Sequence, residues 1–139
     1  MKGRNALHPD PTPPCIRVLS PGQVFVYGAN RAGIHGDGAA KLAMRFGAMI
    51  GETGHCGRTY GICTKDYDIQ TLGLTAINSE VAKFLRLAEV MGQEFLVTAI
   101  GCGLAGYKPK DIAPMFWYAP DNVRLPLEFI NVLKNIKSI

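Results

Sequence analysis

Apolar runs of strand length alternate along this chain with amphipathic segments of helical spacing, and glycine-rich breaks separate them. Val24, Phe25, Val26 and Tyr27 are apolar at successive positions, which predicts a strand covered on both faces. The chain then passes through GANRAGIHGDG, Gly28 to Gly38, into Ala39, Leu42, Ala43, Phe46 and Ile50. That spacing predicts a helix N-capped by Asp37 and ended by Gly51. A second strand is expected at Thr59 to Cys63, followed by a polar loop of Thr64, Lys65 and Asp66. Ile77, Val81, Phe84, Leu85 and Ala88 mark the clearest helix, capped near Thr75 and stopped at Gly92.

Glu94 to Ile100 supplies a third strand that runs straight into GCGLAGYKPK. Pro109 suits the first position of a short helix reaching Met115 to Trp117, limited by Pro114. A last strand is expected at Asn122 to Leu125. Phe129, Ile130, Leu133 and Ile136 have the spacing of a terminal amphipathic helix. Ahead of all this, Pro9, Pro11, Pro13, Pro14 and Pro21 make residues 1–22 an extended arm, within which Cys15 to Leu19 could add an edge strand. Strands alternating with helices predict an α/β fold in one domain, residues 23–139.

Composition narrows the picture. A chain of 139 residues, 47% of them hydrophobic, can bury one core and is short for two. No apolar stretch approaches the roughly 18 residues that span a bilayer, and the start lacks the apolar centre of a secretory signal. A soluble, cytosolic protein with no membrane partner is therefore expected. Cys15, Cys56, Cys63 and Cys102 are irregularly spaced, so free thiols are expected, and His55, Cys56 and Cys63 match no common zinc pattern. No metal and no cofactor are predicted. The net charge of +4 suits an anionic partner, but scattered basic residues favour a small anion over nucleic acid.

The unit of strand, glycine-rich turn and helix occurs twice, at Val24 to Ile50 and at Phe95 to Phe116. Glycines let backbone N–H groups approach a phosphate, and a following helix start adds unsatisfied donors. Gly33, Gly36 and Gly38 in one loop and Gly101, Gly103 and Gly106 in the other exceed what turns alone require. Gly101 to Gly106 also satisfies the dinucleotide pattern G-x-G-x-x-G, but it lies too late in the chain for a Rossmann unit to follow, which removes hydride transfer with NAD.

FVYGAN at Phe25 to Asn30, GIHGDGAA at Gly33 to Ala40 and AIGCGLAGY at Ala99 to Tyr107 together resemble the macro domains, which bind ADP-ribose and its derivatives. The resemblance runs in order over Val24 to Phe116 and is nearest to small bacterial and phage macro-like proteins. It implies a three-layer α/β/α fold around a mixed, mostly parallel sheet. It also implies that Asn30 contacts the distal ribose, that Gly36 and Gly38 line its pocket, that Gly101, Cys102, Gly103, Leu104, Ala105 and Gly106 wrap the diphosphate, and that Tyr107 stacks nearby. Where the family carries an acidic residue for adenine, this chain reads Ser20-Pro21-Gly22.

Several residues have a plain reading beside the chemical one. His35 between glycines could be an acid, a base or a phosphate donor, or an idle loop histidine. Asp37 could be catalytic or only a helix cap. Lys65 could neutralise a phosphate and Asp66 bind a ribose hydroxyl, or both could belong to a solvated turn. Cys102 could be an activated thiolate, although small buried filler fits it better. Three functions follow: a binder of ADP-ribose or a related nucleotide signal, sequestering an immune signal if phage-borne; a hydrolase of ADP-ribosyl groups or ADP-ribose-1″-phosphate using Asn30, His35 and Asp37; or a protein-interaction domain. Self-association is left open.

Overall fold

Val24, Phe25, Val26 and Tyr27 are each no more than 1% exposed, and the strand that holds them, β1 (Gln23–Asn30), lies in the middle of the sheet. The fold is taken from a computed structural model that describes residues 10–36 and 38–136. Its other strands are β2 (Gly54–Cys56), β3 (Thr59–Lys65), β4 (Glu94–Val97) and β5 (Val123–Arg124). They lie in the order β2-β3-β1-β4-β5, with β2 antiparallel to β3 and every other neighbouring pair parallel. This is an α/β fold with a mixed, mostly parallel five-stranded sheet.

Side chains alternate across a strand, so β1 feeds two cores at once. Val24 and Val26 face the larger core with Tyr60, Ile62, Phe95 and Val97. There α2 (Leu74–Val90) contributes Ile77, Val81, Phe84 and Ala88, one face of a helix, and α4 (Leu127–Asn135) contributes Phe129, Ile130 and Leu133. The short α3 (Pro109–Ile112) continues as a 3-10 turn over Ala113–Phe116 and adds Ile112 and Phe116 to the same core. Phe25, Tyr27 and Ala29 face the opposite way, against Ala43 of α1 (Gly38–Ala43), Ala48 and Ile16. Helices therefore cover both faces.

The local departures from expectation have steric causes. The helix expected to run to Ile50 ends at Ala43, and one 3-10 turn, Met44–Phe46, follows it. At Gly47 the backbone has φ 106°, and a Cβ there would lie 3.2 Å from the Cα of Gly57. Arg58 N donates to Phe46 O at 2.9 Å, so the chain is turned aside to pack on the β2–β3 turn, and Ile50 is left exposed. No strand forms at Cys15 to Leu19. Instead Thr12 N donates to Leu125 O at 2.8 Å, the Thr12 hydroxyl donates to Arg124 O at 2.9 Å, and Ile16 is buried. The arm thus covers the open side of β5, an edge that would otherwise present unpaired backbone groups.

The third strand stops at Val97 rather than Ile100. The Thr98 hydroxyl donates to Val26 O at 2.8 Å and Ile100 N turns back to Thr98 O at 2.7 Å, so β4 parts from β1 while β1 continues to Asn30. At the same end β3 carries an irregularity: Ala29 pairs with Cys63 and Asn30 with Lys65, which leaves Thr64 as the extra residue of a bulge. Among the described residues no helix is long and apolar enough to cross a membrane.

Close packing of β1 on β3 depends on Gly61, where an added Cβ would lie 2.9 Å from the Tyr27 hydroxyl oxygen and 3.0 Å from the Ala29 Cβ. Gly61→Ala is expected to destabilise the fold by about 1–3 kcal/mol. Urea unfolding read by circular dichroism checks this, and an unchanged midpoint would show that the contact gives way freely.

Candidate functional site

A cleft of about 570 Å³ opens at the carboxyl ends of the parallel strands. Its lining comes from Gly28, Ala29 and Asn30 at the end of β1, from Thr64 and Lys65 at the end of β3, and from Thr98 to Gly101 beyond β4. The loop after β1 adds Ile34, Gly36 and Gly38; the loop after β4 adds Gly103, Leu104 and Ala105. The chain leaves β1 for α1 on one face of the sheet and leaves β4 for α3 on the other. Neighbouring strands whose connections depart to opposite faces leave a crevice outside their carboxyl ends, the usual ligand position in open α/β sheets.

Backbone donors dominate one wall. Within Gly101 to Tyr107, Cys102 N donates to Ala99 O at 3.2 Å, Gly106 N to Gly103 O at 3.0 Å and Tyr107 N to Gly101 O at 2.9 Å. The amides of Gly101, Gly103, Leu104 and Ala105 have no acceptor among the described residues, and these four residues line the cleft. Successive backbone N–H groups left without an acceptor in a turn are the donors from which anion-binding concavities are built. Gly103 faces open space, with nothing within 4 Å of where a Cβ would stand. Lys65 is the one charged side chain among the described residues of the lining.

The cleft also carries exposed apolar side chains. Ile34, Ile69 and Leu104 all line the cleft, and they are 53%, 39% and 79% exposed. Ile69 has φ 63°, the left-handed region that a β-branched residue rarely adopts. Asp66 imposes it: Oδ1 accepts from Asp68 N at 2.8 Å and Gln70 N at 3.0 Å, while Asp66 N donates to Gln70 O at 2.8 Å. The far side of this turn is clasped to the glycine loop by Thr71 Oγ1 donating to Ala105 O at 3.1 Å and by Tyr107 Oη donating to Leu72 O at 2.8 Å. Ile69 thus stands over the cleft on a turn that is braced from below.

Of the residues proposed from sequence, Asn30, Gly36, Gly38, Thr64, Lys65, Gly101, Gly103, Leu104 and Ala105 come together around the cleft. Asn30 also closes its own loop, with Nδ2 donating to Ile34 O at 2.9 Å and Oδ1 accepting from Ile34 N at 3.0 Å. One amide hydrogen and one lone pair remain for anything else. Asp37 lies outside the described residues.

The others have different work. His35 is turned away from the cleft and buried, its Nε2 hydrogen-bonded to the Tyr27 hydroxyl at 2.9 Å. Burial is the main cause that pushes the Tyr27 phenol up to about 12. The direction of that hydrogen bond follows the imidazole tautomer, and Nδ1 has no partner among the described residues. Gly33 packs against Gly51, where a Cβ would meet the Gly51 Cα at 2.5 Å. Asp66 Oδ1 is taken up by its turn and the Tyr107 hydroxyl by Leu72 O, and neither residue is part of the cleft lining. Gly106, with φ 91°, shapes the loop from outside the lining. Cys102 packs against the larger core, and its thiol is pushed up to about 11, first by burial and then by Glu128 and Asp111. A thiol so shifted stays protonated at neutral pH, in keeping with a packing role.

Sequence reasoning missed Ile69 and Ile34. Ile69 carries no motif, and only its place between Asp66 and Gln70 in an Asx-type turn could have pointed to it. Neither protein-family profiles, curated proteins nor solved structures gave a match to this chain.

Two outcomes follow from this geometry. Ile69→Gly removes the left-handed strain and is expected to stabilise the fold by up to about 1 kcal/mol, checked as a rise in the thermal midpoint. The raised Cys102 pKa means that the unfolded chain releases its thiol proton first, so stability falls as pH rises from about 9 to about 11. The thermal midpoint measured across that window should drop, and Cys102→Ala should make the drop shallower.

Proposed function

We propose that the protein binds ADP-ribose or a closely related nucleotide-derived ligand, in the manner of the macro domains that its two loops resemble. The observation that carries this reading is that Gly101, Gly103, Leu104 and Ala105, whose amides have no acceptor among the described residues, all line one cleft at the crevice between β1 and β4. Donors so placed suit a diphosphate, and Lys65 adds the compensating charge.

The rest of the cleft argues for more than inorganic phosphate. Its volume of about 570 Å³ falls within the usual range for small-molecule sites. Ile34, Ile69 and Leu104 offer apolar surface to a ribose or ring face while the glycine wall takes the charge. The macro-like order of the motifs, with Asn30 ahead of the first loop and Gly101 to Gly106 after the later strand, supports the same assignment. Binding is preferred to turnover because the imidazole of His35, one of the three candidate catalytic groups, is hydrogen-bonded to the Tyr27 hydroxyl.

Calorimetric titration with ADP-ribose tests this. The wild type should give saturable heat, and Gly103→Val should give none while its thermal midpoint stays unchanged, since the new side chain projects into the cleft. Lys65→Gln should weaken binding by about tenfold and reduce its salt dependence. Silence from the wild type, or undiminished binding by Gly103→Val, would overturn the proposal. Chromatography of the titrated samples should recover intact ligand; released phosphate or ribose would replace the binder with a hydrolase.

A further inference from the structure

A second cavity, of about 490 Å³, lies where the edge strand β2 and the outer face of α2 meet across β3. On β3 it is lined by Tyr60, Gly61 and Cys63, whereas the first cleft takes Thr64 and Lys65 at the end of the same strand. Lys83 and Arg86, three residues apart on α2 and so on one helix face, both line it. Neither has an acidic partner among the described residues. The one carboxylate in the lining, Glu80, is engaged by Arg31, whose Nη2 lies 3.8 Å from Oε2. His55 on β2 faces the same space, and Tyr60 and Leu87 supply an apolar wall.

Two cations with no acidic partner among the described residues, sharing one concave site with a histidine and an apolar wall, form the complement of a compact organic anion. We infer that this cavity is a second, separate ligand site, for a phosphate monoester carrying a small apolar group. The paired cations take the phosphate. Tyr60 and Leu87 cover the organic part. The site shares no residue with the cleft between the glycine loops, and its occupancy does not depend on what that cleft binds.

Phenyl phosphate is the probe, read by amide chemical shifts of the full chain. Saturable shifts are expected at Gly54, His55, Gly61 and Arg86. In the Lys83→Ala/Arg86→Ala variant the affinity read at these amides should fall at least about tenfold. The exchange Lys83→Arg/Arg86→Lys should retain it. Both positions are exposed on a helix where alanine is well tolerated, and an unchanged thermal midpoint verifies the fold. Absence of saturable shifts at these amides, or equal affinity in the alanine variant, would overturn the inference.

Discussion

Burial of β1 on both faces constrains everything around it. A strand with Val24, Phe25, Val26 and Tyr27 all hidden must have a neighbour on each side and a layer above and below. β3 and β4 satisfy the backbone, and the helices that cover the two faces must leave the sheet in opposite directions. The crevice at the carboxyl end of β1 is a product of that arrangement. The early ending of β4 widens it on one side, and the bulge at Thr64 turns a small polar side chain into it on the other.

Two kinds of glycine stand out once the packing is seen. Gly33 against Gly51, Gly47 against Gly57 and Gly61 against Tyr27 are close approaches of one segment to another, with no room for a Cβ. Gly36, Gly38 and Gly103 have no such neighbour and border the cleft. Gly38, with φ 56°, has a backbone reason to be glycine, whereas for Gly36 and Gly103 the proposed ligand supplies one, because an N–H can then reach an anion unobstructed. The strained turn at Ile69 belongs to the same economy: Asp66, Thr71 and Tyr107 hold in place an apolar side chain that contributes nothing to either core.

Much of the fold was legible in the sequence. Val24 to Tyr27 declared a doubly buried strand by unbroken apolarity, and Ile77, Val81, Phe84 and Ala88 declared α2 by spacing. The failures have a common cause, in that local pattern was overridden by contacts distant in sequence. Ile50 sits at helical spacing from Phe46, but Gly47 packs on Gly57 and the helix cannot continue. The three residues of β2 are too few and too polar to stand out. At the site, glycine positions mark where a backbone approaches something without saying whether that is a ligand or another loop, so Gly33 and Gly103 look alike until folded. His35 offered no sign that Tyr27, eight residues earlier, would take its imidazole into the core.

The central claim is that the unpaired amides after β4 hold a diphosphate. Amide chemical shifts recorded during titration with ADP-ribose test it most directly. The account predicts large, saturable shifts at Gly101, Gly103, Leu104 and Ala105, with little change at Cys102 and Gly106, whose amides already have acceptors within the loop. Binding that leaves those four amides unmoved, or no binding at all, would contradict it.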